Sequence, residues 1–317
     1  MSSYTPQGFS EESTRWGPTR AQQGMLRQIH AAALSGTQIL TRIRQHGEYH
    51  ADIAPAQWYR EFDATGERGQ HLASLAHAGG IPDRWIEYAR RAGELGEQWN
   101  RPRWPNAEPV DRDRLMANLT TQARGLRDMT AVHVAYRDHA SLREPTQTMV
   151  QMRHNTAVVW EHINGLAQLV GLDVDERARL WPGHNARWLY TAAEAAHTLD
   201  PERLARRWRR YAAPLAPTAG LQVELLRAAG IATDSDDAAL PPLTTMTDQL
   251  ATALASIREP VEHLAEPNTG SGAAIGAAIN SALHQTTGPG TDLHDTETPA
   301  HTADTPTAPA AIPVAEP

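Results

Sequence analysis

Residues 110–170 read VDRDRLMANLTTQARGLRDMTAVHVAYRDHASLREPTQTMVQMRHNTAVVWEHINGLAQLV. Leu115, Leu119, Gln122, Leu126, Met129, His133 and Tyr136 step through the first half by fours and threes, and no proline interrupts Val110–Leu142. After Arg143, Glu144 and Pro145, a second run gives Met149, Met152, Thr156, Val159, Ile163, Leu166 and Val170. Two a/d seams in mirror order about a short break predict an antiparallel helical hairpin. Folding the chain between residues 142 and 143 sets Tyr136 opposite Met149, Met129 opposite Thr156 and Leu115 opposite Val170. Gly125 and Gly165 oppose this, each costing about 1 kcal/mol relative to alanine in a helix interior. Gln122, His133 and Thr156 are polar members of the seams.

Helical spacing also runs outward from the hairpin in both directions, and period-2 alternation is almost absent. Upstream, Thr19 to Gln45 places Leu26, Ile29, Ala33, Gly36, Leu40 and Ile43 on one face, with Ala33 and Gly36 leaving room for a neighbouring backbone. A second helix opens at Pro55 and stops at Gly79 and Gly80, with Gly66 and Gly69 as internal break points. A third runs from Pro82 to about Gln98, and the prolines of Asn100–Pro105 end it. Downstream, Asp173 and Glu176 have capping-box spacing, and Asp200-Pro201 supplies an N-cap followed by proline at N1. Asn185–Leu199, Leu221–Ala229 and Leu243–Glu259 complete the set. The expected fold is all-α: a multi-helix array with a central antiparallel coiled-coil-like hairpin and a disordered C-terminal tail. Its expected parts are a disordered leader (1–17), an N-terminal helical domain (18–105), the hairpin (106–171), a C-terminal helical region (172–283) and the tail (284–317), whose Thr/Pro/Ala composition cannot offset its ordering entropy.

Composition removes several mechanisms. All 29 basic residues are arginine, and there is no cysteine. Lysine Schiff bases, P-loop lysines, thiolate nucleophiles and cysteinyl metal sites are excluded. A GC-rich genome that writes arginine in place of lysine is the favoured account of the bias, and 9 Trp against 2 Phe agrees with it. Net charge is −8, so nucleic acid or an anionic membrane could be engaged only through a local patch. No signal peptide is expected, because Met1–Gly17 is mostly polar and has neither a basic n-region nor an apolar h-region, and no membrane span, because Gly272–Leu283 is too short and is broken by Asn280 and Ser281. The expectation is a cytoplasmic protein with no membrane contact.

Leu72–Arg91 carries Ala76 and, four residues later, Gly80, with Leu75, Ile81, Ile86 and Ala89 where two helices would pack. Over these 20 residues the chain resembles a helix-turn-helix, although Gly79 stands where that family prefers an apolar side chain. The resemblance implies a second helix in the major groove, presenting Asp83, Arg84 and Glu87, with Arg90 and Arg91 further along. Two acids among them count against DNA, and a plain helical corner with Trp85 and Tyr88 in the core is the alternative. The stretch Gly80–Trp99, with its Ile81-Pro82 and Trp85-Ile86 pairs, resembles uncharacterised plasmid- and phage-borne proteins of GC-rich actinobacteria, which implies no activity.

The one dense basic cluster is Glu202–Tyr211. At about 100° per residue, Arg203, Arg206, Arg207 and Arg210 share one face, with Leu204, Trp208 and Tyr211 beside them. Such a stripe suits phosphate oxygens or an acidic protein surface, or it is a solvated face paired with local acids. His46 and His50 are four apart but lack the glutamate of the zinc-protease motif, and no second ligand pair stands nearby, so no metal is expected. Gly270, Gly272 and Gly276 miss the dinucleotide-loop spacing, and no cofactor is expected. Trp16, Trp58, Trp85, Trp99 and Trp104 suit an N-terminal core better than base stacking. No nucleophile elbow or acid/base carboxylate pair is present, so no catalytic residue is assigned. The sequence thus points to a non-enzymatic accessory protein that binds a macromolecule, a protein or a nucleic acid such as DNA. The alternative is an adaptor that forms a homodimer through its hairpin.

Overall fold

The computed structural model describes residues 17–50, 53–100, 103–139, 145–181, 186–234 and 238–258. Among them are ten helices and no strand: α1 (Arg20–His50), α2 (Ala56–Ala78), α3 (Asp83–Glu94), α4 (Arg112–Arg137), α5 (Thr146–Val170), α6 (Val174–Leu180), α7 (Ala186–His197), α8 (Pro201–Ala212), α9 (Pro217–Ala228) and α10 (Leu243–Arg258). None of them is long and apolar enough to cross a membrane. The expected tail, Gly270–Gly276, Trp16, the turn at 142–143 and the leader before Gly17 lie outside the described residues.

Local chemistry starts and stops these helices. Thr19 Oγ1 accepts from Gln22 N, and Gln22 Oε1 accepts from Thr19 N (3.2 and 3.0 Å), a reciprocal cap on α1. Asp173 Oδ1 and the Glu176 backbone N–H do the same for α6, with Glu176 Oε2 returning to Asp173 N. α5 ends at Gly171, whose φ of +68° is the left-handed conformation that glycine adopts without Cβ strain. Gly66 and Gly69 do not break α2, which is continuous, and Gly47 does not end α1.

α4 and α5 pack against each other as antiparallel helices. The buried N-terminal half of α4 (Leu115, Leu119, Leu126) shares one core cluster with Ile163, Leu166 and Val170 from the end of α5. Met129 and Tyr136 share the second cluster with Met152 from its start. Arg112 Nη2 donates to Gly171 O at 3.0 Å, tying the open ends of the pair together. The same guanidinium grips Glu176 through two 2.5 Å hydrogen bonds, which hold that nearly buried carboxyl below its usual range.

The pair is not a two-stranded coiled coil, which would leave the outer positions of each helix in water. Every residue of α4 from Met129 to Tyr136 is buried, because α4 is enclosed by α5, α7, α8 and α10. The first cluster also draws on α1, α2, α3, α6, α9 and α10, and so crosses the expected segment boundaries at 105 and 171. Trp104 and Pro105 are stitched to α3: Trp85 Nε1 donates to Pro105 O at 2.8 Å, and the Trp104 ring lies against Trp85, Tyr88 and Trp99.

Two expectations about α1 are corrected. Ile39 rather than Leu40 turns inward, and Leu40 is 42% exposed. Gly36 has only ordinary contacts with Phe62 and Thr65, while the close backbone approaches fall at Gly24, beside Ala229, and at Gly93 of α3, beside His30 and Ala33. Gly79, where the helix-turn-helix pattern prefers an apolar side chain, is also a point of close packing. A Cβ there would stand 2.1 Å from Leu169 Cδ2, so its absence seats α5 against the corner.

Candidate functional site

α8 is built as a platform. Asp200 caps it, its Oδ1 accepting from Arg203 N at 2.8 Å, and Pro201 occupies the first turn. Leu204, Ala205, Trp208 and Ala212 turn into the second core cluster. The Trp208 ring stacks on Tyr136 at a centroid distance of 4.4 Å, and its Nε1 donates to His133 Nδ1 at 3.1 Å. Since Nδ1 accepts, the imidazole is neutral.

Burial pushes the His133 pKa down to about 4, and the charges of Arg137 on α4 and Arg153 on α5 act in the same direction. Above pH ~6.5 both folded and unfolded states carry this histidine neutral. As pH falls toward 4 the unfolded chain takes up a proton that the folded chain refuses, so stability is lost across that window and levels off below it. By pH 5 the loss from this group should be about 2 kcal/mol. Urea unfolding at pH 7 and 5 checks it. His133→Gln should lose less stability than the parent between the two, and equal losses would show that His133 does not control the acid side.

The opposite face carries the arginine stripe. Arg203 Nε pairs with Asp200 within its own turn (3.1 Å). Arg207 Nη2 donates to Asp128 of α4 at 2.7 Å, and the Tyr211 hydroxyl donates to the other oxygen of that carboxylate. Burial, and then the Asp128 charge, raise the Tyr211 pKa and keep it a donor. Arg206 and Arg210 are exposed, one turn apart, and have no ionic partner among the described residues. Half of the stripe is therefore committed to local acids and half is open. The Asp128 pairing gave no local signal, because 79 residues separate it from Arg207.

At the corner between α2 and α3, the candidate residues of the second helix mostly have local partners. Arg90 is clamped bidentately by Glu87 and also by Glu94 (2.7 and 2.5 Å). Arg84 donates to Asn106 O, and Asp83 pairs with His77. Arg91 is exposed with no partner among the described residues, and it stands alone. Trp85, Ile86, Ala89, Ala92 and Gly93 are buried, while Asp83, Arg84, Glu87, Arg90 and Arg91 lie on the exposed side of the helix.

His46 lies edge-on to Trp58 (5.4 Å), and the His50 side chain is outside the described residues. Among those residues no group of three or more His, Asp or Glu could hold a metal ion. One cluster escaped the sequence reading: the Arg127 guanidinium lies 4.6 Å from the ring centres of both Trp181 and Trp188 and donates to Leu180 O. Burial, and then neighbouring Arg124, lower its pKa to about 10, so it remains charged at neutral pH. Comparison with protein-family models, with curated proteins and with solved structures finds no match.

Proposed function

We propose that this chain is a binding protein rather than an enzyme, and that it holds double-stranded DNA through phosphate contacts from the exposed arginines of α8. The observation that carries the reading is the pair Arg206 and Arg210, open to solvent on a helix whose other face is locked by Trp208. Residues four apart on a helix have Cβ atoms about 5–6 Å apart, close enough for two guanidiniums to engage neighbouring phosphates. Net charge does not oppose this. Eight carboxylates and no arginine follow Arg258, which accounts for the whole −8, so residues 1–258 are balanced. Contacts of this kind set affinity without reading sequence. Self-association through the hairpin is less favoured, because its apolar seam is consumed in the chain's own core. A cytoplasmic location and an accessory role on a plasmid or phage belong to the same proposal.

The test is fluorescence anisotropy on a random-sequence duplex across a salt series. Two phosphate contacts should weaken binding by about tenfold between about 50 and 200 mM salt. The double variant Arg206→Gln/Arg210→Gln should fold normally and lower the slope of log K against log salt by about 2. Absence of binding at the lowest salt would redirect the arginine face to an acidic protein. An unchanged slope in the variant would move the site elsewhere.

A further inference from the structure

The paired helices α1 and α2 continue past the end of α3. Thr37 Oγ1 of α1 donates to Glu94 O in the last turn of α3 at 3.2 Å, and α3 covers α1 only to that level. Beyond it, no side chain from Leu40 to Tyr49 on α1, or from Ala56 to His71 on α2, is buried. The two segments form an arm one layer deep, whereas a packed core needs two layers.

The arm is nonetheless apolar. Eight large hydrophobic side chains are exposed among the described residues, and five of them belong to the arm or to the end of α3 beside it: Leu40, Tyr49, Ile53, Tyr59 and Leu95. Ala33, Thr37, Leu40 and Arg44 lie along one face of α1 at about 100° per residue. The first two meet α3 at Gly93 and Glu94, and the last two run on in water.

Only one flank of the arm is open. On the other, Arg42 pairs with Glu61 at 2.7 Å and lies over the Trp58 ring, which His46 meets edge-on. Tyr59 stands on the side of α2 opposite Glu61, with half-buried Phe62 next to it and half-buried Ile43 across from it. The open flank thus presents Leu40, Ile43, Tyr59 and Phe62. Arg44 marks its α1 margin and Asp63 its α2 margin. Both are exposed, and neither has an ionic partner among the described residues.

We propose that this flank is a dimer interface, covered by the same flank of a second copy of the chain, so that two arms close into a four-helix bundle. A two-fold axis along the arm sets α1 of each copy over α2 of the other. Leu40 and Ile43 then face Phe62 and Tyr59 of the second copy, and Arg44 faces the helix that carries Asp63. The Arg42–Glu61 and His46–Trp58 contacts put Glu48 level with Pro55, nearer the tip than either charged margin. A partner of one charge would satisfy one margin and be repelled by the other, while a second copy satisfies both. The flank uses about half of the arm, fewer than the roughly 20–30 residues a side of a standard interface, so the dimer should be weak, with a Kd of order 10 µM.

Sedimentation velocity on the full chain without DNA, from about 1 to about 200 µM, tests this, and the parent should pass from monomer to dimer within that range. Leu40→Glu/Tyr59→Glu replaces two exposed side chains and should leave the circular dichroism spectrum unchanged. It should keep the protein monomeric throughout, because association would bury unpaired carboxylates. Arg44→Glu should weaken the dimer about tenfold by setting like charges together, and Arg44→Glu/Asp63→Arg should restore it by rebuilding both pairs in reverse. A monomer at every concentration overturns the inference. So does a dimer that survives Leu40→Glu/Tyr59→Glu, which would place the contact on another surface. A charge swap that recovers nothing overturns the two-fold pairing of α1 with α2. Arg206 and Arg210 are on neither helix of the arm, so this result and the DNA result stand independently.

Discussion

Gly93→Ala is expected to destabilise the protein by about 3 kcal/mol or more, at or above the usual range for overpacking. The added Cβ would stand 2.3 Å from His30 O, 2.9 Å from Ala33 Cβ and 3.0 Å from Leu34 N. Two of these neighbours are backbone atoms, which cannot rotate away as a side-chain tip can. Relief requires α1 and α3 to separate where they cross. That movement would also pull His30 from Glu97 O, to which its Nε2 donates at 2.8 Å, and from the Trp99 ring. Gly66→Ala serves as the control. Its Cβ would meet nothing within 4 Å on an exposed part of α2, so it should stabilise by about 0.5–1 kcal/mol through helix propensity alone. Urea unfolding followed by circular dichroism reads both. Equal stability of Gly93→Ala and the parent would mean that the two helices do not meet as closely as described.

That contrast marks what the sequence makes legible. Helix identity follows from local signals, and the caps at Asp173 and Asp200 form as their spacing predicts, because each cap needs only residues three apart. The mirror seams of α4 and α5 identify an antiparallel pair for the same reason, since their periods depend on side chains within a single helix. What surrounds the pair is set by long-range packing. Nothing local distinguishes Gly93, pressed against α1, from Gly66, which touches nothing, and nothing local says that Met129–Tyr136 will be covered on every side. The arginine stripe is legible as a face, since helical periodicity puts Arg203, Arg206, Arg207 and Arg210 together. Which of the four stay open is not, because Asp128 reaches Arg207 from another helix. Gly79 shows the same limit: it reads as a flaw in a helix-turn-helix until Leu169 is seen against it.

Trp208→Ala is expected to cost about 3–5 kcal/mol, the range for emptying a buried aromatic site. Trp208 is fully buried, stacks on Tyr136 and donates to His133. The alanine variant would leave a cavity and an unsatisfied imidazole nitrogen beneath the arginine face. Trp208→Phe separates the two losses. It keeps most of the ring stack but removes the indole N–H, so about 1–3 kcal/mol should be lost through the unpaired His133 Nδ1. Chemical denaturation of the two variants gives both numbers, and a phenylalanine variant as unstable as the alanine one would assign the whole effect to the hydrogen bond. The same pair of faces allows the fold and the function to be varied independently. Trp208→Phe should lower stability while leaving DNA affinity and its salt slope intact, because Arg206 and Arg210 point away from the altered side. Arg206→Gln/Arg210→Gln should do the reverse, reducing affinity with unfolding unchanged to within about 0.5 kcal/mol, as exposed substitutions do. If both changes moved affinity and stability together, α8 would be a structural strut whose arginines serve the fold, and the binding face would have to be sought on another helix.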